Sequence, residues 1–117
     1  MKMLVVDDST FIRKSICKLI AQAQPDWEVD SAGDGSDALK LIEQKQYDIA
    51  TIDYNMPGID GGTLILRIQE KSPATKLALL TANKQSATQK KAQELDVTFI
   101  AKPNFTDALL AFIKTAS

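Results

Sequence analysis

The chain has 117 residues, 44% hydrophobic and 25% charged, with a net charge of -1. That is one domain, 1-117, long enough for a core without staples, and its charge gives no case for nucleic acid or an anionic membrane. It holds no histidine and a single cysteine, Cys17, which excludes Ser-His and Cys-His catalysis, His-containing zinc sites and an internal disulfide. Any metal must therefore be held by oxygen ligands, which points to a hard cation such as Mg²⁺. No apolar run reaches membrane-spanning length. Asp7 and Asp8 arrive too early for a signal peptide's apolar region, so a cytoplasmic location is expected.

In chain order, Met3 to Val6 is an apolar strand that ends at Asp7-Asp8. Ser9 or Thr10 caps a helix whose Ile12, Ile16, Leu19, Ile20 and Ala23 keep helical spacing until Pro25. Trp27 to Ala32 reads as a second strand, mixed in polarity and so placed at an edge. A helix from Ser36 to Gln44 turns Ala38, Leu39 and Ile42 inward. Ile49 to Ile52 is a buried strand that stops at Asp53, and Pro57-Gly58 forces the turn after it. Gly62 to Lys71 is a helix, ended near Ser72-Pro73. Leu77 to Leu80 is the fourth strand, stopping at Thr81. The helix from Gln85 to Glu94 is unusually polar, with Ala87, Ala92 and Leu95 to bury. Thr98 to Ala101 is the fifth strand, stopping at Lys102-Pro103, and Phe105 to Lys114 is the last helix.

Strict alternation of strands and helices, with mostly continuous apolar strands, specifies a parallel sheet covered on both faces. The expected class is a doubly wound, flavodoxin-like α/β fold with strand order 2-1-3-4-5. Parallel strands bring their carboxyl ends to one edge, so Asp7, Asp8, Asp53, Thr81 and Lys102 are expected together. Three clustered carboxylates repel unless a cation sits among them, and Mg²⁺ suits such a site. A cation, a lysine, a hydroxyl and an uncommitted carboxylate are the parts needed to put a phosphoryl group on Asp53. Without histidine, the donor must lie outside the chain.

The runs Val5-Val6-Asp7-Asp8-Ser9, Asp53-Tyr54-Asn55-Met56-Pro57-Gly58-Ile59-Asp60-Gly61, Thr81-Ala82 and Lys102-Pro103 occur in one order along essentially the whole chain. In this the sequence resembles the receiver domain of two-component response regulators. The resemblance implies that a partner histidine kinase or phosphotransfer protein phosphorylates Asp53. It implies Mg²⁺ bound by Asp8, Asp53 and the Asn55 carbonyl, with Asp7 acting through water. Lys102 would pair with the phosphoryl group, and Thr81 would swing toward it. Phe99 would turn inward as the aromatic switch, and Lys102-Pro103 would be cis. Asn55 and Asn83 would tune the phosphoryl lifetime. The output face would be the polar fourth helix, fifth strand and last helix, read by a downstream protein partner. The run Asp7-Asp8-Ser9-Thr10-Phe11-Ile12-Arg13 resembles chemotaxis-type receivers, which implies a stand-alone signalling protein, monomeric when unphosphorylated, rather than an enzyme.

Three alternatives stand beside this. The chain could be the receiver part of a larger regulator, or a Mg²⁺-dependent phosphatase or other hydrolase with an aspartyl nucleophile. The third is a dinucleotide site, because Gly33-Asp34-Gly35-Ser36-Asp37-Ala38 fits G-x-G-x-x-A. That last reading is rejected, since Asp34 and Asp37 would repel a pyrophosphate.

Overall fold

The computed structural model describes residues 1–82 and 86–116. Strands β1 (Lys2–Val6), β2 (Glu28–Ala32), β3 (Ile49–Asp53), β4 (Lys76–Thr81) and β5 (Thr98–Ala101) alternate with five helices. The helices are α1 (Thr10–Ala23), α2 (Gly35–Gln44), α3 (Gly61–Lys71), α4 (Ser86–Leu95) and α5 (Thr106–Lys114). Every strand pairing is parallel, and the sheet order is β2-β1-β3-β4-β5. The alternation of strands and helices thus folds as the doubly wound sheet it specifies.

The period-2 alternation along each central strand builds two apolar layers. Leu4, Val6, Ala50, Ile52, Leu77 and Leu79 face α2, α3 and α4, meeting Ala38, Leu64, Ile65, Ile68, Ala92 and Leu95. Met3, Val5, Ile49, Ala78, Leu80 and Ile100 face α1 and α5, meeting Ile16, Ile20, Leu109, Phe112 and Ile113. Each fully buried Leu or Ile contributes about 1.5–3 kcal/mol relative to exposure, so the two layers are what hold the sheet's edge rigid.

Three helix starts carry their own caps. The Ser9 hydroxyl accepts from the Ile12 N–H at 3.3 Å, the Asp34 carboxylate from Asp37 at 2.8 Å and the Asp60 carboxylate from Thr63 at 2.8 Å. Strand β2 lies at the sheet edge and is only partly buried, in keeping with its mixed polarity. Its outer side is pinned by Lys45, whose Nζ lies 2.8 Å from Glu28 and 3.0 Å from Asp30. The Tyr47 hydroxyl also donates to Asp30 at 2.7 Å, and this bond holds the Asp30 carboxyl below its usual range.

Helix α4 buries Ala92 and Leu95 as expected and differs at one position of its inward stripe. Ala87 is exposed and Thr88 is buried instead, so the inward stripe is Thr88, Ala92 and Leu95. The spacing i, i+4, i+7 is helical as expected, and a threonine rather than the neighbouring alanine takes the inward place. Asp96 follows with a left-handed φ of 58°, and the Gln69 amide donates to the Leu95 carbonyl at 2.8 Å. The expected helix start at Gln85 lies outside the described residues. Cys17 is half-buried against the α1–α5 layer, and burial raises its thiol pKa, consistent with a packing role. No described helix is long and apolar enough to cross a membrane.

Candidate functional site

The carboxyl ends of β1, β3, β4 and β5 deliver Asp7 and Asp8, Asp53, Thr81 and Lys102 to one edge. The register places Asp53 beside Leu80 and Thr81 beside Ala101, and the Lys102 N–H donates to the Thr81 carbonyl at 2.9 Å. Asp7, Asp53 and Thr81 are 0%, 4% and 0% exposed, whereas Asp8 and Asn55 face solvent. Each of Asp7, Asp8 and Asp53 has a carboxylate oxygen within 4.8 Å of the other two.

Among the described residues, Lys102 is the cation paired with this cluster. Its Nζ lies 2.6 Å from Asp7 Oδ2 and 3.6 Å from Asp53 Oδ1. Asp7 Oδ2 is fully buried and accepts no well-angled hydrogen bond, so the ion pair is what compensates it. Asp7 Oδ1 accepts from the Ser9 N–H at 2.9 Å, and Asp53 Oδ1 from the Asn55 N–H at 3.3 Å. Ser9 therefore holds the acid pair with its amide and caps α1 with its hydroxyl.

These surroundings perturb Asp53. Burial most of all, then the Asp7 charge and the Asp8 carboxyl bond, raise its pKa against the opposing Lys102 charge and Asn55 amide, and together they bring it up to about 7. Among the described residues, three carboxyls face one ammonium, so this edge is short of positive charge. All-oxygen donors in that arrangement fit a hard divalent cation that keeps some of its water.

The turn after β3 is built to leave Asp53 at the rim. Gly58 takes a left-handed φ of 78°, which glycine adopts without a Cβ penalty. Gly61 opens α3 against the strand end, and its N–H donates to the Tyr54 carbonyl at 3.0 Å. A Cβ on Gly61 would stand 2.7 Å from Tyr54 Cα and closer still to the Asp53 carbonyl. The Asp60-Gly61-Gly62 run, plainest as a loop and helix start, thus carries a close backbone approach. Two glycines directly after the capping acid were the available signal.

Phe99 is half-buried, packs on the layer under α2, α3 and α4, and pairs in register with Leu79, two residues before Thr81. The Lys102-Pro103 bond is cis. Asn83 lies outside the described residues. The Gly33–Ala38 run offers no phosphate cradle, because the Asp34 carboxylate already occupies the Asp37 amide. A cavity of about 470 Å³ opens at the opposite, amino-terminal edge among Gln69, Lys76, Asp96 and Phe112, and it takes in none of the clustered carboxylates.

The family model for the response regulator receiver domain matches residues 3–114. Among curated proteins, the chain is 38% identical over 108 residues to protein-glutamate methylesterase/protein-glutamine glutaminase 3 of Vibrio cholerae, covering 91% of this chain and 30% of that protein. A protein-glutamate methylesterase/protein-glutamine glutaminase of Caldanaerobacter subterraneus is 38% identical over 111 residues, covering 92% and 30%. The chain thus spans about a third of the length of these curated relatives. Among solved structures, chemotaxis protein CheY4 of Vibrio cholerae superposes with a TM-score of 0.85 at 27% identity, covering 99% of this chain and 98% of that one. Response regulator protein TrrA of Thermotoga maritima, in complex with Mg²⁺-BeF, gives 0.86 at 29% identity, covering 99% and 98%. With its acid pair, third-strand aspartate, threonine and lysine converging on one edge of a β2-β1-β3-β4-β5 sheet, the chain belongs to the response regulator receiver domain family.

Proposed function

We propose that the chain is a phosphorylation-activated signalling module in which Asp53 accepts a phosphoryl group from a partner's phosphohistidine. The observation that carries this is the placement of Asp53, 4% exposed, with Lys102 Nζ 3.6 Å from one oxygen and the acid pair beside it. An Asp53 oxygen attacks phosphorus, forming a P–O bond as the P–N bond breaks, and the donor imidazole, already protonated on its other ring nitrogen, leaves neutral. Lys102 stands ready to pair with the transferred oxygens, and Thr81 supplies a hydroxyl for them. Asp7, Asp8, Asp53 and Asn55 would hold Mg²⁺, Asp7 through water; when bound, the cation neutralises charge on the phosphoryl oxygens.

The chain's response lies in its own side chains. Thr81 moves toward the phosphoryl group and Phe99 turns into the space it leaves, which changes the face formed by α4, β5 and α5 for a downstream protein. Asn55 and Asn83 set how long the acyl phosphate survives. The chain acts as a single domain, 1–117, monomeric when unphosphorylated, in the cytoplasm, and its only chemistry is its own phosphorylation and slow hydrolysis. The similarity to CheY4 and to methylesterase receivers favours a chemotaxis pathway. Because the chain spans about 30% of those methylesterases, a second reading makes it the regulatory part of a longer enzyme.

Intact mass after incubation with phosphoramidate, with and without Mg²⁺, tests the proposal on the wild type and Asp53→Asn. One phosphoryl adduct that needs Mg²⁺ and is lost in the variant is expected. An adduct that persists in Asp53→Asn would place the acceptor elsewhere, and catalytic turnover of a small phosphoester would mean a hydrolase.

A further inference from the structure

Arg13 lies on α1 outside the acidic cluster, and phosphoryl transfer as described makes no use of it. Its Nη1 donates to the Asp7 backbone carbonyl at 2.7 Å, and its Nη2 donates to the Thr10 hydroxyl at 3.2 Å. The guanidinium also lies against Gly33, where a Cβ would stand 3.1 Å from Nη1. Gly33 directly follows β2, so one side chain ties the β1–α1 turn to the β2–α2 turn.

Asp7 is thereby fixed from three sides. Its N–H donates to the Ala32 carbonyl at 3.2 Å, its carboxylate accepts from Ser9, and its carbonyl accepts from Arg13. That carbonyl belongs to the planar Asp7–Asp8 peptide unit, so the bond from Arg13 sets the plane from which Asp8 departs. Asp8 is exposed and meets the cluster through its carboxyl bond with Asp53, so the direction in which it leaves the peptide decides whether it stays there. A planar two-pronged donor suits this task, whereas an ammonium on a flexible stem does not.

We infer that Arg13 is a positioning residue for the divalent-cation site, clamping the Asp7–Asp8 peptide so that the Asp8 carboxylate stays in the cluster. The inference rests on the reading of that cluster as a cation site. Its sign separates it from simple electrostatics. Guanidinium charge near the site repels a cation, so losing charge alone would tighten Mg²⁺ binding, whereas losing the clamp would weaken it.

The test is calorimetric titration of the full chain with Mg²⁺ alone, beside thermal midpoints in EDTA. Arg13→Met should weaken Mg²⁺ about tenfold, the lower end for groups that orient metal ligands. Arg13→Lys should recover little of that loss, and Gly33→Ala, which crowds the guanidinium, should give a smaller loss in the same direction. A core variant such as Ile20→Val should lower the EDTA midpoint without moving Mg²⁺ affinity. Unchanged or tighter binding in Arg13→Met, or full recovery in Arg13→Lys, would overturn the inference; if Arg13→Met does not fold, the lysine and alanine variants decide it. A wild type that binds no Mg²⁺ would instead overturn the cation-site reading and this inference with it.

Discussion

Asp53→Asn should make the metal-free protein more stable, and only where the wild-type carboxyl is ionised. The folded Asp53 pKa lies at about 7 against an ordinary 3.8, so between about pH 4 and pH 7 the folded state holds more protons than the unfolded one. Stability therefore falls as pH rises through that window, and the whole cost is present above it. The full interval corresponds to about 4 kcal/mol. Asp53 sits at a rim where water and small relaxations raise the effective dielectric, which brings the expected cost to about 2 kcal/mol. The amide keeps the shape and removes the charge, so Asp53→Asn in EDTA should gain about 2 kcal/mol at pH 8 and little at pH 4. For a domain of this size that is a rise of about 6–10 °C in the midpoint at pH 8. Urea and thermal denaturation followed by circular dichroism at both pH values measure it. A variant no more stable than wild type at pH 8, or a gain of equal size at both pH values, would refute the electrostatic account.

Lys102→Met should cost about 3 kcal/mol without metal, because it leaves the fully buried Asp7 carboxylate without its 2.6 Å partner; urea denaturation in EDTA measures this, and an unchanged midpoint would count against the ion pair. Thr51→Val should gain about 1 kcal/mol, since the Thr51 hydroxyl is buried without a hydrogen-bond partner; a loss in the same assay would mean that the hydroxyl is satisfied. Gly61→Ala should cost about 2 kcal/mol or more, because its Cβ would meet the backbone at Asp53 and Tyr54; it should also slow phosphoramidate labelling, read by intact mass, by moving Asp53.

The elements that sequence makes plainest are those whose side chains answer to a single demand. Val5 or Ile52 has to be buried, the pattern says so, and the sheet is legible from such residues alone. In helix α4 the pattern gives Ala92 and Leu95 but not Thr88, because Ala87 and Thr88 are both small and neither dictates which of them faces inward. Contacts made by side chains with backbone atoms leave no periodic trace either. The Gln69 bond to the Leu95 carbonyl and the Arg13 bond to the Asp7 carbonyl depend on where distant turns meet, which no local pattern records. The clustered site residues were legible for a different reason: acids and a lysine directly after apolar runs conflict with burial, and that conflict is visible in the sequence.

That conflict is also where function and stability divide. A fully buried Asp7 and a nearly buried Asp53 with one lysine between them form a poor core, and an apolar triad of similar volume would be expected to stabilise the fold. The fold carries the arrangement because its charge deficit is borne at the rim, away from the two apolar layers, and is relieved by any ligand that brings positive charge. A site satisfied in the resting state would have nothing to gain from a cation. Asp53 instead sits in a pocket that favours its neutral form, so a proton on the carboxylate or a cation beside it relieves repulsion already present, whereas a phosphoryl group brings further negative charge that a cation and Lys102 would have to offset. The same electrostatics that lower the resting stability would therefore supply a free-energy difference between the empty and the cation-bound site, and Lys102, 3.6 Å from Asp53, is placed to feel it.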